Sequence, residues 1–261
     1  MALDDKIIDE LARIVDEAAR KSEPVTMLTA DHPEMTLEDA YTIQRRSMAR
    51  RLERGEALVG MKMGLTSKAK MEQMGVHNPI YGHLTDVMML GDGAEIDAGD
   101  YCHPRVEPEI AFVMAEDISG EVGPQEALAA VDKVCAALEI IDSRYKDFEF
   151  TLIDVVADNA SSTGFALGTT TAKADDLDLG NLGMVLSVNG EVVETGSSAA
   201  ILEHPARSLA ALVTMLNERG EGLKAGQVVL AGGATKAVHV ESGDQVQLEV
   251  DQLGTVELRV Q

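Results

Sequence analysis

The stretch Pro104-Arg-Val-Glu107-Pro-Glu109-Ile-Ala-Phe-Val113 holds the residues best suited to chemistry. Glu107 and Glu109 alternate with their neighbours, so on an extended strand both carboxylates point to one face while Val106 and Ile110 point to the other. Two carboxylates side by side near a core repel each other and cost desolvation energy unless a cation or a proton compensates. A hard divalent cation bound through oxygen, with positions left for water and substrate, is one solution. An edge strand displaying two solvated glutamates is the other. A third acid, Glu139, stands alone in the apolar run Ala136-Ala-Leu-Glu139-Ile-Ile141, where an unpaired charge is expensive. A salt bridge to Arg144 or Arg105 would account for Glu139. One metal ion accounts for all three acids together, whereas ion pairing needs a separate partner for each.

Lys62 lies in Val59-Gly-Met-Lys62-Met-Gly64-Leu65-Thr-Ser67, a strand-like run ending in a turn, with a helix expected to start at Thr66 or Ser67. Its glycines permit close approach of backbone to a ligand. A lysine between two methionines can snorkel to the surface. Beside a metal, its ammonium could instead pair with a substrate carboxylate or steer protons. Two further segments are ambiguous. Asp158-Asn-Ala-Ser161-Ser162 reads as a capped helix end or a ligand contact. Gly232-Gly-Ala-Thr235 follows the strand Val228-Val-Leu-Ala231 and offers amides and a hydroxyl to an anion, or is a tight turn. The six histidines show no paired ligand spacing, and no GxSxG elbow, Walker loop or GxGxxG follows a strand.

The elements that position these groups change character along the chain. Residues 4–20 carry an apolar stripe of Ile7, Ile8, Leu11, Ile14, Val15, Ala18 and Ala19, an amphipathic helix. A second helix is expected from Thr36, with Glu38 and Asp39 at its positive end, to a stop near Gly55. From Leu58 onward short apolar runs alternate with Gly, Asn and Asp turns. Asn189-Gly190 between Val185–Val188 and Glu191–Val193 signals a hairpin with a type I′ turn. Val246–Val250 and Thr255–Val260 form a second around Gln252-Leu253-Gly254. Helices are expected at about 124–136, 151–158 and 205–219. The organisation is one catalytic domain of α+β class, with residues 1–57 as an N-terminal helical segment and 58–261 as a β-rich core.

Composition narrows the function classes. With 45 acidic against 22 basic side chains the formal charge is −23, which excludes a phosphate-backbone binder. Aromatic residues are 3% without a tryptophan, so stacking platforms for single strands are absent and the core rests on aliphatic residues and 13 methionines. Cys102 and Cys135 match neither a metal spacing nor a disulfide framework, pointing to a reduced intracellular environment. No targeting pattern or membrane-length apolar run is present, so a cytoplasmic location is expected.

Gly60-Met-Lys62-Met-Gly64-Leu-Thr-Ser67, Pro104–Phe112, Ala137-Leu-Glu139-Ile-Ile-Asp142-Ser-Arg-Tyr145 and Val156-Ala-Asp158-Asn-Ala-Ser161 together resemble the hydratase and decarboxylase branch of the fumarylacetoacetate hydrolase superfamily. The resemblance implies a mixed β-sandwich roll with N-terminal helices, homo-oligomers, and Mg²⁺ or Mn²⁺ held by Glu107, Glu109 and Glu139. It implies Lys62 as a catalytic group and Leu65, Ile80, Ser161 and Thr235 as substrate contacts. Two activities are implied: metal-dependent loss of carbon dioxide from 2-oxo-3-hexenedioate (4-oxalocrotonate) in aromatic meta-cleavage, and hydration of 2-oxopent-4-enoate (vinylpyruvate). The segment Ser67–Gly82 looks more like the decarboxylases, because hydratase relatives usually carry Asp where this chain has Ile80. A non-catalytic partner stabilising a vinylpyruvate hydratase complex is the alternative outside enzymology. Pro108 departs from the Ala common in the family, and it suggests an edge or a local irregularity in that strand.

Overall fold

The computed structural model describes residues 3–67, 71 and 78–261. The helix expected from Thr66 or Ser67 runs into residues 68–70 and 72–77, outside the described residues. Three helices come first, α1 (Asp5–Lys21), α2 (Leu28–Asp31) and α3 (Leu37–Glu53). Asp4 caps α1, accepting from the Lys6 amide, and Thr36 opens α3 in a reciprocal capping box with Asp39. Helices α1 and α3 pack together, and buried Asp16 of α1 accepts from Arg50 at 2.9 Å and from Arg54 at 2.7 and 2.8 Å. Among the described residues no helix is long and apolar enough to cross a membrane.

The rest is two sheets with short helices. The strands are β1 (Leu58–Gly64), β2 (Ile80–Thr85), β3 (Met89–Leu90), β4 (Ala94–Ile96), β5 (Arg105–Met114), β6 (Val131–Ile141) and β7 (Ser162–Ala172). They continue as β8 (Gly183–Val188), β9 (Glu191–Ser197), β10 (Val228–Leu230), β11 (Val238–His239), β12 (Gln245–Val250) and β13 (Gly254–Val260). The large sheet runs β2-β1-β10-β5-β6-β7-β3 with β11 also on β5, and the small one runs β4-β13-β12-β8-β9. Strands β12 and β13 pack on β6 and β7, so the inner faces share a core, the α+β sandwich roll expected. Helices α4 (Pro124–Ala129), α5 (Leu152–Ala157) and α6 (Pro205–Asn217) lie between strands. Both expected hairpins form, with Asn189 and Gly190 at φ 55° and 79° as a type I′ turn requires.

Two expectations are corrected. The helix expected over 124–136 ends at Ala129, and from Val131 the chain is the 11-residue strand β6, which puts Glu139 in a strand interior. Val131, Val134 and Cys135 favour a strand, and the alternation of β6 with two sheet neighbours overrides local helix propensity. Strand β5 is also not an edge, since it pairs with β6 along its length and with β10 and β11 on its other side. Pro108 is tolerated because its carbonyl, accepting from the Ala234 amide, faces the gap between β10 and β11, and its missing N–H would face the same gap.

The helical segment is tied to the strands by buried polar bonds. Gln44 of α3 donates to the Tyr81 carbonyl of β2 at 3.0 Å and to the Val156 carbonyl of α5 at 2.8 Å. Helix α2, which the sequence pattern did not reveal, is anchored by Thr29, whose amide and hydroxyl donate to Asp154 at 2.9 and 2.7 Å. Asp154 also accepts from the Thr151 amide and hydroxyl at 3.0 and 2.6 Å, which caps α5. Asp154→Ala removes all four bonds and is expected to cost about 2–3 kcal/mol of stability, measured as a lower urea midpoint at unchanged slope.

Candidate metal and substrate site

Pairing of β5 with β6 sets Glu107 directly opposite Glu139, with Glu109 next on the same face of β5. One oxygen of each carboxylate lies within 4.8 Å of the others. Glu109 and Glu139 are fully buried and Glu107 is 7% exposed. Like charges directly opposite on a sheet are destabilising, and burial multiplies the cost. The solvated-edge alternative is therefore excluded by both burial and topology.

Glu109 and Glu139 are held by partners on neighbouring elements. Glu109 accepts from the Gly232 amide at 2.6 Å through Oε2, while its buried Oε1 has no hydrogen-bond partner among the described residues. Glu139 accepts from Ser162 Oγ at 3.0 Å through Oε1. Its Oε2 lies 3.0 Å from Lys62 Nζ, a charge contact off the line of a hydrogen bond. Arg144 is bound to Asp158 instead, and neither Arg144 nor Arg105 pairs with Glu139. Lys62 does not snorkel: it is 2% exposed and donates to the Ala160 carbonyl at 3.1 Å.

Burial pushes the Glu109 carboxyl well above the ordinary range, and the charges of Glu139 and Glu107 add to it against the opposing pull of Lys62. Burial likewise raises Glu139, with Lys62 opposing and Glu107 adding. For Lys62 burial acts to lower the pKa, but the three carboxylates outweigh it and hold the ammonium form. Burial disfavours the anionic forms of Glu109 and Glu139, and a divalent cation bound among the three carboxylates would offset that cost. A hard divalent cation bound through oxygen would fit among three carboxylate oxygens this close together. The orphaned Oε1 of Glu109 is the ligand atom such an ion would satisfy.

The turn after α5 supports Lys62. Asn159, Ala160 and Ser161 are all left-handed, with φ 50°, 51° and 59°, a conformation costing roughly 1–2 kcal/mol per residue. It is held by Asn159, whose side chain accepts from the His83 amide at 2.7 Å and donates to the His83 carbonyl at 2.9 Å. The Arg144 backbone amide adds a bond to Asp158 at 3.0 Å. The result aims the Ala160 carbonyl at Lys62 and leaves Ser161 Oγ buried without a hydrogen-bond partner among the described residues. This segment is thus more than a helix cap.

A cavity of about 360 Å³ opens over the cluster, lined by Lys62 and Glu107 with Leu65, Ile80 and Ser161. The same residues read from the sequence meet there. Thr235 does not line it: its hydroxyl donates to the Lys236 carbonyl and its methyl lies against Gly196. The Gly232 amide is taken by Glu109, and the Ala234 amide donates to the Pro108 carbonyl. Gly232 has φ 114°, and an added Cβ would fall 2.1 Å from Thr66 Oγ1, so only glycine fits. Sequence reasoning missed Phe148, Phe150 and Val155 as cavity walls, and it weighed Arg105 only as an ion-pair partner.

Comparisons with known proteins agree with this geometry. Residues 57–261 match the family described as fumarylacetoacetate (FAA) hydrolase C-terminal. A 4-oxalocrotonate decarboxylase from Pseudomonas sp. is 49% identical over 249 residues, covering 95% of this chain and 96% of the relative. A 2-keto-4-pentenoate hydratase from Paraburkholderia xenovorans (strain LB400) is 39% identical over 249 residues, covering 95% and 93%. Among solved structures, 4-oxalocrotonate decarboxylase from Pseudomonas putida G7 complexed with magnesium and adipate superposes with a TM-score of 0.97 at 43% identity, covering 99% of each chain. The buried carboxylate cluster, the sandwich roll and these matches together make the chain a member of the fumarylacetoacetate hydrolase family.

Proposed function

We propose that this chain is a carboxy-lyase that releases carbon dioxide from 2-oxo-3-hexenedioate (4-oxalocrotonate) and yields 2-hydroxypenta-2,4-dienoate. Glu107, Glu109 and Glu139 would hold Mg²⁺ or Mn²⁺. The observation that carries this reading is a buried three-carboxylate cluster beneath a cavity whose lining includes the apolar Leu65, Ile80, Phe150 and Val155. The greater identity to a decarboxylase than to a hydratase supports it. When bound, a divalent cation supplies Lewis acidity toward the ketone and adjacent carboxylate oxygens of a 2-oxo acid.

The chain's own groups do the rest. As the bond to the distal carboxylate breaks, carbon dioxide leaves and its electron pair spreads through the conjugated chain to the ketone oxygen. One proton there completes the dienol. Lys62, fixed between Glu139 and the Ala160 carbonyl, places a positive charge and N–H donors where that oxygen gains charge. Ser161 offers a further hydroxyl. Leu65, Ile80, Phe150 and Val155 present no acid that could deliver water to the double bond. Self-association belongs to the same reading and is supported by Val192 and Val193, exposed on the edge strand β9.

Incubation of the Mg²⁺-loaded protein with 2-oxo-3-hexenedioate should release carbon dioxide, while 2-hydroxypenta-2,4-dienoate should remain unhydrated. Hydration of the second compound without release from the first would overturn the assignment. Lys62→Met should remain folded and lose about 10²–10³-fold in kcat. Glu109→Gln removes a buried like charge, so the metal-free variant should unfold at a higher temperature than the metal-free parent. Added Mg²⁺ should raise the parent's unfolding temperature and leave that of the variant unchanged.

A further inference from the structure

Arg105 stands at the cavity without an acid. In a chain with twice as many acidic as basic side chains, a half-buried arginine is expected to be ion-paired. Among the described residues it has no such partner, and its Nε is buried without a hydrogen bond. Its guanidinium lies instead over the ring of Phe148, with Cζ 4.0 Å from the centroid. Stacking on a ring orients a guanidinium and leaves its N–H fork and its net charge available to an anion.

Phe148 is itself held for this. Its ring meets His103 edge-on at 6.2 Å and Phe150 at 5.3 Å. Asp147 and Phe148 are left-handed, with φ 57° and 58°, a strained backbone for a bulky aromatic residue that carries the ring to the cavity. Arg105 precedes Glu107 by one strand repeat on the same face of β5, about 6.6 Å along the strand. Both side chains line the cavity, so it carries a carboxylate of the cluster and an unpaired cation rooted one strand repeat apart. Lys236, exposed and also without an acid among the described residues, adds positive charge to the cavity lining.

We infer that Arg105, held on Phe148, receives the distal carboxylate of a 2-oxo dicarboxylate whose keto-acid end faces Glu107, Glu109 and Glu139, and thereby selects dicarboxylates. The inference rests on the substrate class proposed above. Because that carboxylate loses its charge as carbon dioxide leaves, Arg105 binds the ground state more strongly than the transition state. It acts on KM more than on kcat.

The test is calorimetric binding of 2-oxohexanedioate and 2-oxohexanoate, which differ only in the distal carboxylate, to the Mg²⁺-loaded protein. The parent should prefer the dicarboxylate by about thirtyfold, equivalent to about 2 kcal/mol. Arg105→Gln should bind both alike, at the parent's affinity for 2-oxohexanoate, and Arg105→Lys should keep part of the preference. Unchanged 2-oxohexanoate affinity in Arg105→Gln shows that the fold and the keto-acid end are intact. A preference surviving in Arg105→Gln, or equal losses for both ligands, would overturn the inference. Binding is read without turnover, so a parent that prefers the dicarboxylate but releases no carbon dioxide from 2-oxo-3-hexenedioate would sink the decarboxylase reading and leave the role of Arg105 standing.

Discussion

Three carboxylates share one desolvated place in the large sheet, and their repulsion is the constraint around which the surrounding structure is arranged. Glu107 and Glu139 face each other across β5 and β6, and Glu109 follows on the same face. Among the described residues the Lys62 ammonium, the Gly232 amide and the Ser162 hydroxyl each offset part of the cost at Glu109 and Glu139. A buried carboxylate cluster of this kind is costly by itself, and a divalent cation would offset that cost. Its geometry is also as rigid as the ladder that bears it, because a one-residue slip of β6 would turn Glu139 to the opposite face. The unbroken pairing from Arg105 to Val113 guards against that slip.

The supports of Lys62 follow from the same constraint. A lysine buried among methionines needs both a counter-charge and an acceptor for its remaining protons. Glu139 supplies the first and the Ala160 carbonyl the second, and the carbonyl is aimed by a left-handed turn that no glycine eases. The strain of that turn is met by the Asn159 clamp on His83 and by the buried bonds between Arg144 and Asp158. Local strain is thus offset by packing farther out, and the N-terminal helices contribute through Gln44 and Thr29.

Part of this was legible in the sequence, for reasons that differ from residue to residue. The two-residue period of a strand put Glu107 and Glu109 on one face, and the apolar neighbours of Glu139 marked it as a buried charge. The hairpins were readable because Asn-Gly admits the required φ. What stayed hidden depends on partners distant in the chain. Lys62 between methionines fits a surface strand as well as a buried one until β2 and β10 are seen on either side of it. The left-handed run Asn159–Ser161 carries no glycine to announce it. Val131-Asp-Lys-Val134 suits either period, so the helix at Pro124 was extended into β6. Arg105 appeared only as a partner for Glu139, since its seat on Phe148 arises where β5 meets the loop after β6.

The long-range field of a chain at −23 repels a dianionic substrate, so recognition must be local, within a screening length of about 8 Å. Lys62, Arg105 and the cation implied by the three glutamates supply that local charge. They share the lining with Ser161 and Lys236 and with the apolar Leu65, Ile80, Phe148, Phe150 and Val155. The combination discriminates between the two reactions of this family branch. Loss of carbon dioxide turns a carboxylate into a neutral molecule, a change that a low-dielectric cavity favours once the anion has been captured. Hydration instead needs a water molecule admitted and an acid or base placed to deliver it. Ile80 in the cavity wall presents hydrocarbon, with neither a proton nor an acceptor for water. The same burial that makes the carboxylate cluster costly in isolation therefore makes the cavity above it suited to losing a carboxylate rather than gaining a hydroxyl.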